Sequence, residues 1–326
     1  MWFPSWLRNR NRPASLRQRP TFRPRLEALE DRTLPSSYTA ASTSALIADI
    51  NAANKAGGTN TITLSAPTTS PYVLTAVNNN TTKGPNPVGA NGLPVIGGGK
   101  ADNLTIIGNG DTIERSTAAN TPAFRLFDVA SGGTLTLENV TLQNGLAQGA
   151  GTAGGGGAIL NQGTLTVSGS ILSGNSAGYF GGGIENSHGT LTVNSGSILS
   201  GNTATNESGG GIFNNDYGTA TINGCTLSGN SAPKGGGIYN VSGSTLTVSD
   251  SIVGPATING IAVPGNSASE GGGIYNAGTL TVENSSSITG NTAPAGYGAD
   301  VYNLGLLYLD ASSIIGILDG NPATLI

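Results

Sequence analysis

The chain has 326 residues and 52 glycines, roughly one in six where about 7% is usual. Only 10% of it is charged, 5% is aromatic, and it holds one Cys, one Met and one His. These counts exclude a helix bundle, a disulfide scaffold and collagen, and no run of about 18 apolar residues offers a membrane-spanning helix. A Gly/Ser/Thr/Asn-rich disordered chain and a β-repeat protein remain.

Residues 1–37 form a basic, Pro- and Arg-rich tail, which composition predicts to be disordered or processed. It carries eight of the fourteen basic residues, all Arg. Residues 38–326 then carry six Lys/Arg against fifteen Asp/Glu, too acidic a body to bind nucleic acid by counterion release. The best apolar stretch of the tail, Met1 to Leu7, is interrupted by Pro4 and Ser5, unlike a secretory signal. The tail ends in Arg25-Leu26-Glu27-Ala28-Leu29-Glu30-Asp31-Arg32-Thr33-Leu34-Pro35-Ser36. Through Leu29, Glu30, Arg32 and Leu34 it resembles the LEPR-XLL motif of large exported bacterial proteins. Asp31 and Pro35 depart from that pattern. The resemblance implies an export or sorting segment.

Residues 38–144 are expected to cap the body and form its first coils. Ser42-Thr43-Ser44 before Leu46, Ile47, Ile50 and Ala53 reads as an N-capped amphipathic helix ending at Gly57-Gly58. Strands follow at Thr61–Leu64, Tyr72–Thr75, Leu104–Ile107, Phe124–Val129 and Thr134–Leu137. The Asn-, Gly- and Pro-rich stretch 78–100 reads as a long surface loop. Ala52-Ala53-Asn54 before Thr61-Ile62-Thr63-Leu64, with Gly92–Ile96 and Leu104–Gly110, resembles β-helix proteins with a CSLREA-type start, although the leading Cys is absent.

Residues 145–326 contain a repeat of about 27 residues. A Gly-rich corner, an apolar residue and an Asn recur, closing at Asn161, Asn186, Asn214, Asn240, Asn276 and Asn303. In phase come Gly163-Thr164-Leu165-Thr166-Val167 and Ser170-Ile171-Leu172-Ser173-Gly174-Asn175 with their copies. Period-2 alternation marks strands with one buried face. Strands this short form a core only by pairing in parallel with copies in neighbouring coils. The expected fold is therefore all-β: a single-stranded right-handed parallel β-helix with three strands per coil and a short N-terminal capping helix. The Gly-Gly-x-Ile and x-x-x-Asn elements resemble the polymorphic outer membrane protein repeat, which implies a surface or secreted β-helix. The six asparagines are expected to stack as a structural ladder. The 36-residue spacing before Asn276 places an insertion near Val253–Pro264.

Chemistry is sparse. The repeats hold no Asp-Asp pair, and their only basic residue is Lys234. Lys234 and Glu270 precede equivalent glycine triplets and are expected to pair across one coil. His188 is the only His, expected as a solvated turn residue. Cys225 stands where other repeats have Ser, which suggests a small buried residue. Gly108-Asn109-Gly110-Asp111 resembles half of a Gly-rich Ca²⁺ nonapeptide, and one copy makes no site. No catalytic residue, metal or cofactor is expected. Phe213, Tyr239, Tyr275 and Tyr302 fall between the inward apolar residue and the Asn, so alternation turns them outward as an aromatic ribbon. The leading reading is an exported, non-catalytic β-helix for adhesion, surface structure or passive glycan binding. Glycans or cell-surface components are its expected partners, and the chain is expected to be monomeric. The alternative is a polysaccharide-active β-helix enzyme, a lyase or glycoside hydrolase, whose acids converge from unaligned coils.

Overall fold

The structure is a computed structural model that describes residues 35–67, 69–80, 88–97, 102–194 and 196–326. Residues 1–34, with all the arginines of the tail and most of its sorting motif, lie outside the described residues. The rest is a parallel β-helix, as the repeat predicts. Its walls are three long parallel sheets of eleven, nine and eight strands.

The Thr-Leu-Thr-Val segments build the first sheet. Thr164–Ser168, Thr190–Asn194, Thr219–Asn223, Thr245–Ser249 and Thr279–Glu283 pair residue for residue. Leu165, Leu191, Ala220, Leu246 and Leu280 form one inward column, and Val167, Val193, Ile222, Val248 and Val282 a second. All are buried, each large one stabilising the fold by about 1.5–3 kcal/mol. The second sheet stacks Leu142, Leu172, Leu199, Leu227, Val253 and Ile288. The third stacks Phe127, Ile159, Ile184, Ile212, Ile238, Ile274 and Val301.

A short fourth ribbon joins the second sheet to the third. It begins as paired strands at Leu146–Ala147, Ser176–Ala177 and Thr203–Ala204. Single bridges continue it through Ser231, Ser267 and Thr292. The glycine corner between this ribbon and the third sheet is tight. Gly181 has φ 59°, and a Cβ there would run into the carbonyl of Ile184.

The helix spans Thr43–Ala56. The Ser42 hydroxyl accepts from the Ala45 amide at 3.2 Å, and Gly57 closes the other end with φ 66°. Leu46, Ile50 and Ala53 are buried against the first strands, so the helix covers one end of the core. Among the described residues no helix is long and apolar enough to cross a membrane.

Four details correct or extend the sequence expectations. Strand Ser36–Ala40 pairs with Asn60–Leu64, so regular structure begins within the last residues assigned to the tail. The stretch 78–100 is not purely a surface loop. Asn79–Asn80 pairs with Ala90–Asn91, Leu93 and Ile96 are buried, and Ile96 bridges Val129. The expected strand at Phe124–Val129 shortens to Phe127–Val129. The insertion is a hairpin, Ala256–Ile258 against Ile261–Val263, turning on Asn259 and Gly260 with positive φ. Register is kept across it, with Ile238 opposite Ile274.

Candidate functional site

Asparagine ladders frame the third sheet. Nδ2 of Asn161 donates to Oδ1 of Asn186 at 2.6 Å. The same bond runs on through Asn214, Asn240, Asn276 and Asn303 at 2.8–2.9 Å. Amides 161, 186, 214, 240 and 276 also donate to the carbonyl of Thr190, Thr219, Thr245, Thr279 and Leu306 in turn. All six asparagines have no exposed surface, so the ladder is bonded and closed to ligand.

A second ladder has no counterpart among the expectations. Asn175, Asn202, Asn230, Asn266 and Asn291 are joined Nδ2 to Oδ1 at 2.8–3.0 Å. Each Oδ1 after the first also accepts the backbone N–H of the asparagine one coil earlier. Asp300 ends the column, taking both donors of Asn291 on Oδ1 at 2.9 Å. The signal was present, because four of these asparagines close the Ser-Ile-Leu-Ser-Gly-Asn segment. Asn266 is displaced in sequence by the hairpin.

Between the inward apolar residue and the first ladder, each strand of the third sheet turns one side chain away from the core. Register aligns these as Asp128, Leu160, Glu185, Phe213, Tyr239, Tyr275, Tyr302 and Asp319. The four expected aromatic residues do form one column. Phe180, from the adjoining edge, extends it by stacking on Phe213 at 4.5 Å between centroids. Tyr239 and Tyr275 stack at 4.5 Å and 6°, while the Phe213–Tyr239 and Tyr275–Tyr302 pairs are tilted at 5.5 and 5.4 Å.

The expectation of an exposed ribbon needs correcting. Phe213 and Tyr275 are each only 5% exposed. Rings at coil spacing cover one another's faces, leaving Tyr239 and Tyr302 half-buried and Tyr297 exposed beside them. Lys234 lies 5.3 Å from the Tyr275 ring centroid and 3.3 Å from Glu270. Burial, together with Tyr275 and Glu270, pushes the Tyr239 hydroxyl up to about 12.

The other end of the column is ionisable, and sequence reasoning missed it. Asp128 and Glu185 are 2% and 1% exposed, and Arg125 is fully buried. Arg125 Nη2 donates to the carbonyls of Thr152 and Ala153 at 2.8 and 3.1 Å, within the 3₁₀ turn Gly151–Gly154. Asn91 Nδ2 donates to Asp128 Oδ2 at 3.2 Å. Burial pushes the Glu185 carboxyl up to about 8, with Arg125 opposing and Asp216 reinforcing. Burial also raises Asp128, against Arg125 and Asn91, and lowers Arg125. Among the described residues, Arg125 Nε and Nη1, Asp128 Oδ1, Glu185 Oε2 and Asn91 Oδ1 have no hydrogen-bond partner.

His188 has company that the sequence did not reveal. Ser187 Oγ donates to Asp216 Oδ2 at 2.9 Å, and His188 Nδ1 is 3.6 Å from the same oxygen. A relay needs the hydroxyl on the imidazole nitrogen remote from the carboxylate. Here the hydroxyl is 3.4 Å from the same Nδ1 and bonds the carboxylate directly. The side chain of His188 is 68% exposed, on a turn of positive φ. Cys225 is buried in a column of serines. Its amide donates to Ser251 Oγ, and burial raises its thiol to about 11, away from thiolate character. Asp111 is buried in the turn that follows Gly108. Among the described residues no three His, Cys, Asp or Glu gather as a metal site.

Compared with known protein families, curated proteins and solved structures, the chain matches none. The three family resemblances therefore stand on their own short motifs, and the β-helix stands on its register.

Proposed function

We propose that the chain is an exported, non-catalytic β-helix serving adhesion, surface structure or passive glycan binding. The observation that carries this reading is the aromatic column. It lies on a sheet locked by ladders on its inner side, so its outward residues are held without a mobile loop. Tyr239, Tyr302 and Tyr297 supply hydroxyl edges and partly free rings of the kind that pack on sugars or protein surfaces. The acids outside the column are scattered. Glu207 and Asp250 are exposed at different points of the coil, and Asp300 is engaged in its ladder. The test is glycan-array binding of the full chain, with Tyr302→Ala and Tyr239→Ala beside it. Loss of binding in these variants is expected. Binding that is unchanged in both removes the column from the account.

One observation favours the enzyme alternative. Asp128 and Glu185 are two rungs apart on one column, roughly 10 Å at parallel-strand spacing, and both interact with Arg125. Carboxyl pairs of glycosidases fall in about this range. Their burial counts against it, since a polymer chain cannot reach either acid in this conformation.

A further inference from the structure

The charged end of the column carries an inference beyond the binding reading above. Five buried polar atoms without partners fall on four residues, Asn91, Arg125, Asp128 and Glu185. No carboxylate oxygen among them comes within ion-pair distance of Arg125, although both acids interact with it through space. Buried polar groups are normally bonded, and a buried guanidinium with two idle nitrogens is costly. The mismatch is chemically specific. Arg125 Nε and Nη1 need acceptors, Asn91 Oδ1 and Asp128 Oδ1 need donors, and Glu185 Oε2, on a carboxyl that stays protonated up to about pH 8, can do either.

We propose that Asn91, Arg125, Asp128 and Glu185 form a site for a small uncharged polyhydroxyl molecule that opens when the glycine-rich loop 149–155, its lid, is displaced. A hydroxyl both accepts and donates, so one molecule can bond the guanidinium and the acid on either side of the Leu160 rung. An anion would meet two carboxyl groups, and a cation would meet Arg125. The lid is held by the site itself, through Arg125 Nη2 on the carbonyls of Thr152 and Ala153. Gly155 lies directly against Glu185 Oε2, and a Cβ there would overlap that oxygen. This one loop therefore touches both Arg125 and Glu185.

The experiment uses the full chain with glycerol, myo-inositol and D-galactose as probes, read by saturation-transfer NMR and thermal melting. At least one probe is expected to bind and to raise the melting temperature. Asp128→Asn and Glu185→Gln keep the side-chain shape, and each is expected to weaken binding by about tenfold or more. Circular dichroism checks that both variants are folded. If no probe binds the wild-type chain, or if binding persists undiminished in both variants, the site is overturned. Asp128→Asn tests this site and Tyr302→Ala tests the aromatic column, so the failure of one is distinguishable from the failure of the other.

Discussion

The two ends of the outward column on the third sheet share a backbone register and differ in how their side chains are satisfied. From Phe213 to Tyr302, each ring meets a ring one coil away. From Asp128 to Glu185, the side chains differ from rung to rung, and the buried charged groups lack full partners. A solenoid satisfies like residues automatically, because each copy is presented to the next at a fixed spacing. Unlike residues must find partners elsewhere, and those that do not are where chemistry or ligand is to be sought.

The largest expected effect breaks the regular side. Asn214 receives a bond from Asn186 and donates to Asn240 Oδ1 and to the carbonyls of Gly218 and Thr245. Asn214→Ala leaves several buried groups unpaired, and denaturant titration should show a loss of roughly 3–5 kcal/mol. A loss near zero would mean that the ladder is incidental to stability.

The next effect breaks the charged side. The folded-state pKa of Glu185 lies near 8, above its ordinary 4.5. Its stabilising contribution is therefore complete below pH 4.5 and is lost as pH rises through about 8. Glu185→Gln should flatten that decline and gain on the order of 2 kcal/mol at the alkaline end. Unfolding titrations of both proteins across this range provide the check. Parallel pH profiles would contradict the burial of a titrating carboxyl.

Smaller effects sharpen the aromatic half. Tyr239→Leu keeps bulk but removes two ring contacts, and should cost about 1 kcal/mol in the same titration. The Lys234–Glu270 pair is part-exposed, with 43% and 26% of the side-chain surfaces open. A double-mutant cycle should give a coupling below about 1 kcal/mol that fades with salt. A coupling well above that would raise Lys234 from a surface pair to a fixed part of the column.

The contrast between the two ends also explains what could be read from the sequence. Thr-Leu-Thr-Val, the isoleucines of the third sheet and the first asparagine ladder were legible, because each repeats in phase and period 2 assigns its face. The Lys234–Glu270 pair was legible for the same reason, from two equivalent positions. The second ladder was obscured where the hairpin shifts Asn266 away from its segment. The charged cluster was not legible. It joins Asn91, Arg125 and Glu185 from the N-terminal half and the repeats, and no local pattern links them. Ring exposure was misjudged because alternation gives a direction but not what neighbouring rings cover.

The central claim is that this face binds without turning over what it binds. The most direct measurement incubates the full chain with the oligosaccharides it retains on the array and follows new reducing ends and unsaturated products over time. The account predicts retention with no product from the wild-type chain or from Glu185→Gln. Product formed by the wild type and abolished by Glu185→Gln would contradict it and assign catalysis to the charged end of the column.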